Sequence, residues 1–78
     1  MGDGLQAGIA TEAGRAFVGF GFTELAMSRI IAHVDSRNGA SIHVLRTLGF
    51  VLVGSDEAGL RTIDEFELLR SAWSPRGA

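Results

Sequence analysis

The sequence predicts an α/β fold in the order helix–strand–helix–strand–strand, with a mixed sheet. Three observations lead there. From Ala10 to about Leu25, apolar residues such as Ala10, Ala13, Phe17 and Phe20 recur at three- and four-residue steps, the spacing of a helix. Arg29-Ile30-Ile31-Ala32-His33-Val34-Asp35 is short, β-branched and apolar at its centre, which fits a buried strand running parallel to a neighbour. Leu48-Gly49-Phe50 then carries the residues of a helix stop immediately before the strand-like run Val51-Leu52-Val53.

Taken in order, residues 1–9 hold Gly2, Gly4 and Gly8 and one acidic side chain, and read as a glycine-rich loop leading into the first helix. Gly14, Gly19 and Gly21 weaken that helix, each by up to about 1 kcal/mol against alanine, and let it lie close to a sheet. After the strand 29–35, Asp35-Ser36-Arg37-Asn38 is a turn, with Asn38 or Ser36 placed to cap the next helix. That helix carries Ile42, Leu45 and Leu48 on one stripe. Gly49 suits the left-handed position after its end, and Phe50 can fold back on Leu45. Residues 50–54 read as a strand, Ser55 to Arg61 as a loop, and Thr62 to about Ala72 as the returning strand of an antiparallel pair, anchored by Trp73. Phe17, Phe20, Phe22 and Trp73 read as core or interface residues. The only proline, Pro75, sits in the tail. No strand precedes the first helix, so residues 1–78 are expected to form a single partial domain, the C-terminal half of a larger unit.

The 78 residues are 46% hydrophobic and 21% charged, too apolar for a disordered chain and small enough that the stability margin is thin. No cysteine is present, which excludes disulfide scaffolds, thiolate metal sites and a cysteine nucleophile. A net charge of −2 argues against nucleic acid or an anionic membrane as partner. No apolar run is long enough to span a bilayer and no signal-like N-terminus appears, so a cytoplasmic location is expected.

Two places could carry chemistry. Gly4-Leu5-Gln6-Ala7-Gly8-Ile9-Ala10 would offer unpaired amides at a helix start, where the dipole favours an anion and small side chains let a phosphate approach; an ordinary glycine-rich N-terminus reads equally well. The glycine spacing is one residue too wide for the dinucleotide fingerprint, although Asp35 stands where a ribose-binding carboxylate would be, and without lysine there is no P-loop. In Asn38-Gly39-Ala40-Ser41, Asn38 is a helix cap that could instead reach a ligand amide, and Ser41 places a hydroxyl in the first turn.

Taken together, Gly8-Ile9-Ala10-Thr11-Glu12-Ala13, Arg29-Ile30 leading to Val34-Asp35, Asn38-Gly39-Ala40-Ser41 and Val44-Leu45-Arg46-Thr47-Leu48-Gly49-Phe50 resemble the GCN5-related N-acetyltransferase superfamily. The likeness is greatest to the branch that acetylates ribosomal-protein N-termini and related amines, and it covers residues 4–73. The resemblance implies an acyl-CoA N-acyltransferase fold with acetyl-CoA lying in a splayed gap between two parallel strands. The pyrophosphate would rest on the amides of Leu5, Gln6, Ala7, Gly8, Ile9 and Ala10. Asn38 would meet the pantetheine arm, and Ser41 would protonate the departing thiolate after direct attack by a primary amine. Where the family has a basic or amide residue three positions before the first motif glycine, this chain has Leu5, so phosphate binding would rest on the backbone. The expected partners are acetyl-CoA and an amine acceptor, with a homodimer a further possibility. A non-catalytic, self-associating coenzyme A-binding remnant is the alternative, and a nucleotide-binding half-fold using Asp35 a third.

The remaining polar residues suggest nothing comparable. His33, His43 and Asp35 lack metal-ligand spacing, so no metal is expected, and Ser41 has no hydrolase elbow around it. Glu12 suits the helix dipole, and the acidic residues from Asp56 to Glu67 read as solvated faces.

Overall fold

A computed structural model describes the backbone of residues 2–73 and the side chains of residues 10–73; Pro75 and the rest of the tail lie outside the described residues. The elements are α1 (Gly2–Thr23), β1 (Arg29–Asp35), α2 (Gly39–Leu48), β2 (Val51–Ala58), β3 (Arg61–Leu69) and a short 3₁₀ turn, Arg70–Ala72. The order is the expected one, with three boundary changes, the first being that β3 stops at Leu69 and the chain enters a 3₁₀ turn where strand was expected to about Ala72. Residues 2–9 continue α1 instead of forming a loop. β2 runs past Gly54 to Ala58, because Ser55, Asp56 and Glu57 pair with Asp64, Ile63 and Thr62 on β3. A β-bulge between Leu52 and Gly54 leaves Val53 without a partner on β3. Only Gly59 and Leu60 remain as hairpin loop, with Gly59 at φ +65°, a conformation glycine adopts without strain.

The sheet order is β1-β3-β2, and β3 pairs antiparallel with both neighbours. This corrects the expectation of a mixed sheet with β1 beside a parallel strand. β1 and β2 do run in the same direction across the α2 crossover, but the tight hairpin returns β3 into the space between them. The end of α2 matches its sequence signature. Gly49 sits at φ 103°, the Gly49 amide donates to Arg46 O at 3.0 Å, and the Phe50 amide donates to Leu45 O at 2.9 Å. These are the two bonds of a Schellman stop.

Both helices pack on one face of the sheet. The core is Val18, Phe22, Ile30, Phe50, Phe66 and Leu68, with Ile42, Leu45, Leu48 and Trp73 packed against it. The rings of Phe22 and Trp73 meet at a tilt of 45°, with centroids 5.3 Å apart. Phe17 and Phe20 are not in this core: they are 69% and 53% exposed, because Val18 and Phe22 form the inward stripe of α1 and the other two rings fall on the opposite side. Gly14 earns its place at the helix–helix contact, where a Cβ would come within 2.7 Å of Leu48 Cδ1.

Candidate acyl-coenzyme A site

β1 ends at Asp35, and the chain reverses through Ser36 and Arg37 into α2. Asp35 holds this turn. Its Oδ1 accepts from the Arg37 amide at 2.8 Å and from Arg37 Nε at 3.2 Å, and its Oδ2 accepts from an Arg37 terminal nitrogen at 3.3 Å. Hydrogen bonding from the Arg37 side chain, then from its amide, holds the Asp35 carboxyl below the usual carboxylate range. Both oxygens thus accept from Arg37, which gives Asp35 a structural role in the turn. The Arg37 partnership is legible in retrospect from the Asp-x-Arg spacing across a turn.

Asn38 follows and caps α2: its Oδ1 accepts from the Ser41 amide at 3.2 Å. One turn is therefore stabilised by one side-chain oxygen. The Asn38 side-chain NH₂ and the Ser41 hydroxyl make no hydrogen bond among the described residues. Asn38 is exposed and Ser41 half-buried. The pair can donate from two chemically distinct groups at the start of one helix, an amide and a hydroxyl.

α1 meets α2 where Leu48 abuts Gly14. The backbone of Leu5, Gln6, Ala7, Gly8, Ile9 and Ala10 is helical, however, where a loop was expected. In a helix that begins at Gly2 the amides from Gln6 onward are engaged one turn back, and the free donors are those of the first turn. The glycines and alanines that favour close approach to a phosphate are also weak or neutral helix formers, so sequence alone leaves the boundary open.

His33 pairs with Glu65 at 3.3 Å on the sheet face away from the helices, and His43 stands exposed on α2. Among the described residues no cluster of three potential metal ligands occurs, and no helix is long and apolar enough to cross a membrane.

The sequence profile of the acetyltransferase (GNAT) domain matches residues 3–51, more than half of the chain, which spans both helices and β1. The chain belongs to that family. Among solved structures it is similar to a probable acetyltransferase (28% identity, TM-score 0.80, 85% of this chain and 40% of that one). It is also similar to a ribosomal-protein-S5-alanine acetyltransferase from Vibrio fischeri (27% identity, TM-score 0.77, 87% and 40%). A spermidine N-acetyltransferase variant from Vibrio cholerae is similar as well (25% identity, TM-score 0.79, 91% and 46%). None of the curated protein sequences matches the chain. The chain thus spans less than half the length of these three acetyltransferases.

Proposed function

We propose that this chain is the acetyl-CoA-binding, C-terminal half of an N-acetyltransferase that acts on a primary amine. The reading is supported by the acetyltransferase (GNAT) profile over residues 3–51 together with the Asn38–Ser41 turn, which keeps an amide NH₂ and a hydroxyl at the start of α2. Two of the similar structures are named for an alanine of a ribosomal protein and for spermidine, both amines, which supports an amine acceptor of the ribosomal-protein N-terminal type.

In this proposal the diphosphate of acetyl-CoA meets main-chain donors at the opening of α1, the Leu5–Ala10 segment of the family resemblance. The Asn38 side-chain NH₂, left over from capping, donates to the pantetheine arm. The acceptor nitrogen attacks the thioester carbonyl, the carbon–sulfur bond breaks, and the Ser41 hydroxyl gives its proton to the departing thiolate. Ser41 regains a proton from solvent, which takes up the one released by the amine. No covalent intermediate on the chain is required.

Titrating the chain with coenzyme A while following its amide resonances tests the binding step. Shifts clustered at residues 4–10 and 38–42, with NAD leaving both clusters unmoved, are expected. Equal responses to NAD, or shifts at neither cluster, overturn the assignment. A second reading, a self-associating coenzyme A-binding remnant without transfer, is favoured by the exposed Phe17 and Phe20. Acetyl transfer to spermidine separates the two: Ser41→Ala slows turnover with affinity kept in the first reading, and no transfer occurs in the second.

A further inference from the structure

We infer that Asp35 is a positioning residue for the thiol-arm end of the site: its side chain locks the turn that presents Asn38 and Ser41, and it acts through that turn rather than by contact with the ligand. The inference rests on the acetyl-CoA reading proposed above and deepens it by one residue.

The bonds of residues 35–42 form one continuous series. Asp35 Oδ1 accepts from the Arg37 amide at 2.8 Å, an Asx-turn, and the Asp35 carbonyl accepts from the Asn38 amide at 2.9 Å, which closes a β-turn over the same residues. The Arg37 carbonyl then accepts from the Gly39 amide at 3.0 Å. That bond closes a tighter turn around Asn38, whose φ of −85° and ψ of 76° fall close to the inverse γ-turn. Next, the Asn38 carbonyl accepts from the Ile42 amide at 3.1 Å, the first bond of α2, while Asn38 Oδ1 takes the Ser41 amide at 3.2 Å. Asn38 is thus held from both sides in a non-helical conformation, and rotating its backbone breaks a bond to Asp35 or to Arg37. The Ser36 amide ties the whole turn to β3 through Thr62 O at 2.8 Å.

The Asp35 carboxylate is the side-chain acceptor that closes the front of this series, as Asn38 Oδ1 is the one that closes its back. Its bond to the Arg37 amide is charge-assisted, the stronger kind. The Asp35 side chain is 22% exposed where that of Arg37 is 71% exposed, so the acceptor is largely covered and water competes less for it. The Arg37 guanidinium, at 3.2 and 3.3 Å, supplies part of that cover. A turn ordered before the ligand arrives spares coenzyme A the cost of ordering it, because apparent affinity scales with the fraction of chains already competent.

Amide NMR on Asp35→Ala and Asp35→Asn, first without ligand and then with coenzyme A, tests this under conditions where circular dichroism shows both folded. In the ligand-free chain Asp35→Ala should move the Asn38 side-chain NH₂ and Ser41 amide resonances and speed exchange of the Ser41 amide. It should also weaken coenzyme A binding by about tenfold, the drop expected when about a tenth of the turns remain competent. Asp35→Asn keeps an oxygen for the Arg37 amide and should return each readout to near that of the unaltered chain. A lower urea midpoint for Asp35→Ala with unchanged affinity of the folded chain means a role in stability alone and overturns the proposal. Weaker binding with the Asn38 and Ser41 resonances unmoved marks a direct contact and overturns it too. So does an Asp35→Asn chain no better than Asp35→Ala, which would assign the effect to the ion pair with Arg37. If Asp35→Ala fails to fold, Asp35→Glu takes its place: the charge stays, the longer arm no longer closes the Asx-turn, and the same losses are expected. If coenzyme A does not bind the unaltered chain, the acetyl-CoA reading falls, and Ser41 exchange in the ligand-free variants still decides whether Asp35 sets the turn.

Discussion

The side-chain oxygen of Asn38 accepts the Ser41 amide at 3.2 Å, so the two residues nominated for contact with the thiol arm are joined to each other first. This relationship divides the functional groups of the turn into those that build it and those that remain for a ligand.

Substitution of Asn38 separates the two roles. Asn38→Ala removes the cap and should lower stability by about 1 kcal/mol in urea denaturation. Asn38→Asp keeps an oxygen for the Ser41 amide and should hold stability near that of the unaltered chain, while removing the NH₂ donor. In a coenzyme A titration, Asn38→Asp should then bind more weakly. Equal affinity of the two chains would assign Asn38 to capping alone.

Gly49 offers a second measurement. At φ 103° a β-carbon strains the backbone, so Gly49→Ala should lower stability by about 1–2 kcal/mol. Gly39→Ala is the control: a β-carbon there meets nothing within 4 Å, and alanine is the better helix former, so stability should be unchanged or slightly raised. Thermal unfolding of the two variants side by side reads the difference.

Which features were legible in the sequence follows from the range of the forces that set them. The α2 stop depends on a few consecutive residues, and Leu45, Gly49 and Phe50 announce it. The boundaries of β1 are likewise local, set by an apolar run closed by Arg29 and Asp35. The partner of β1 is not local: the hairpin at Gly59 sends β3 between the two strands that α2 joins, and no pattern within residues 29–35 records that. The same holds for Phe17, whose spacing suits a core position until Val18 and Phe22 are seen to occupy it. At the candidate site, Asn38 and Ser41 were legible as a cap and first-turn pair. The helical state of residues 2–9 was not, because a glycine-rich stretch before a helix reads equally as loop or first turns.

Asp35 gives a pH signature. Its folded carboxyl titrates below the usual range because the Arg37 side chain and amide donate to it. The unfolded chain therefore binds more protons over that interval. The stabilising contribution is present above the unfolded value and is lost as pH falls through the folded one. Arg37→Ala should reduce the urea midpoint slightly at neutral pH, and the difference should shrink as pH falls through the folded Asp35 carboxyl's range. A penalty that persists unchanged in acid would show that Arg37 acts through packing.

Phe17 and Phe22 share one helix and one side chain, yet the structure assigns them opposite roles. Phe22 is 0% exposed, packed against the Trp73 ring within the core shared with Ile30, Phe66 and Leu68. Truncating a buried phenylalanine removes its transfer energy and leaves a cavity, a loss of about 3–5 kcal/mol. A domain with so few buried side chains has a margin of similar size, so Phe22→Ala should leave much of the population unfolded at room temperature by circular dichroism. Phe17 is 69% exposed, and Phe17→Ala should change stability by less than about 0.5 kcal/mol, helped by the better helix propensity of alanine. Reversed outcomes, with Phe17 costly and Phe22 tolerant, would mean that α1 presents its other face to the sheet.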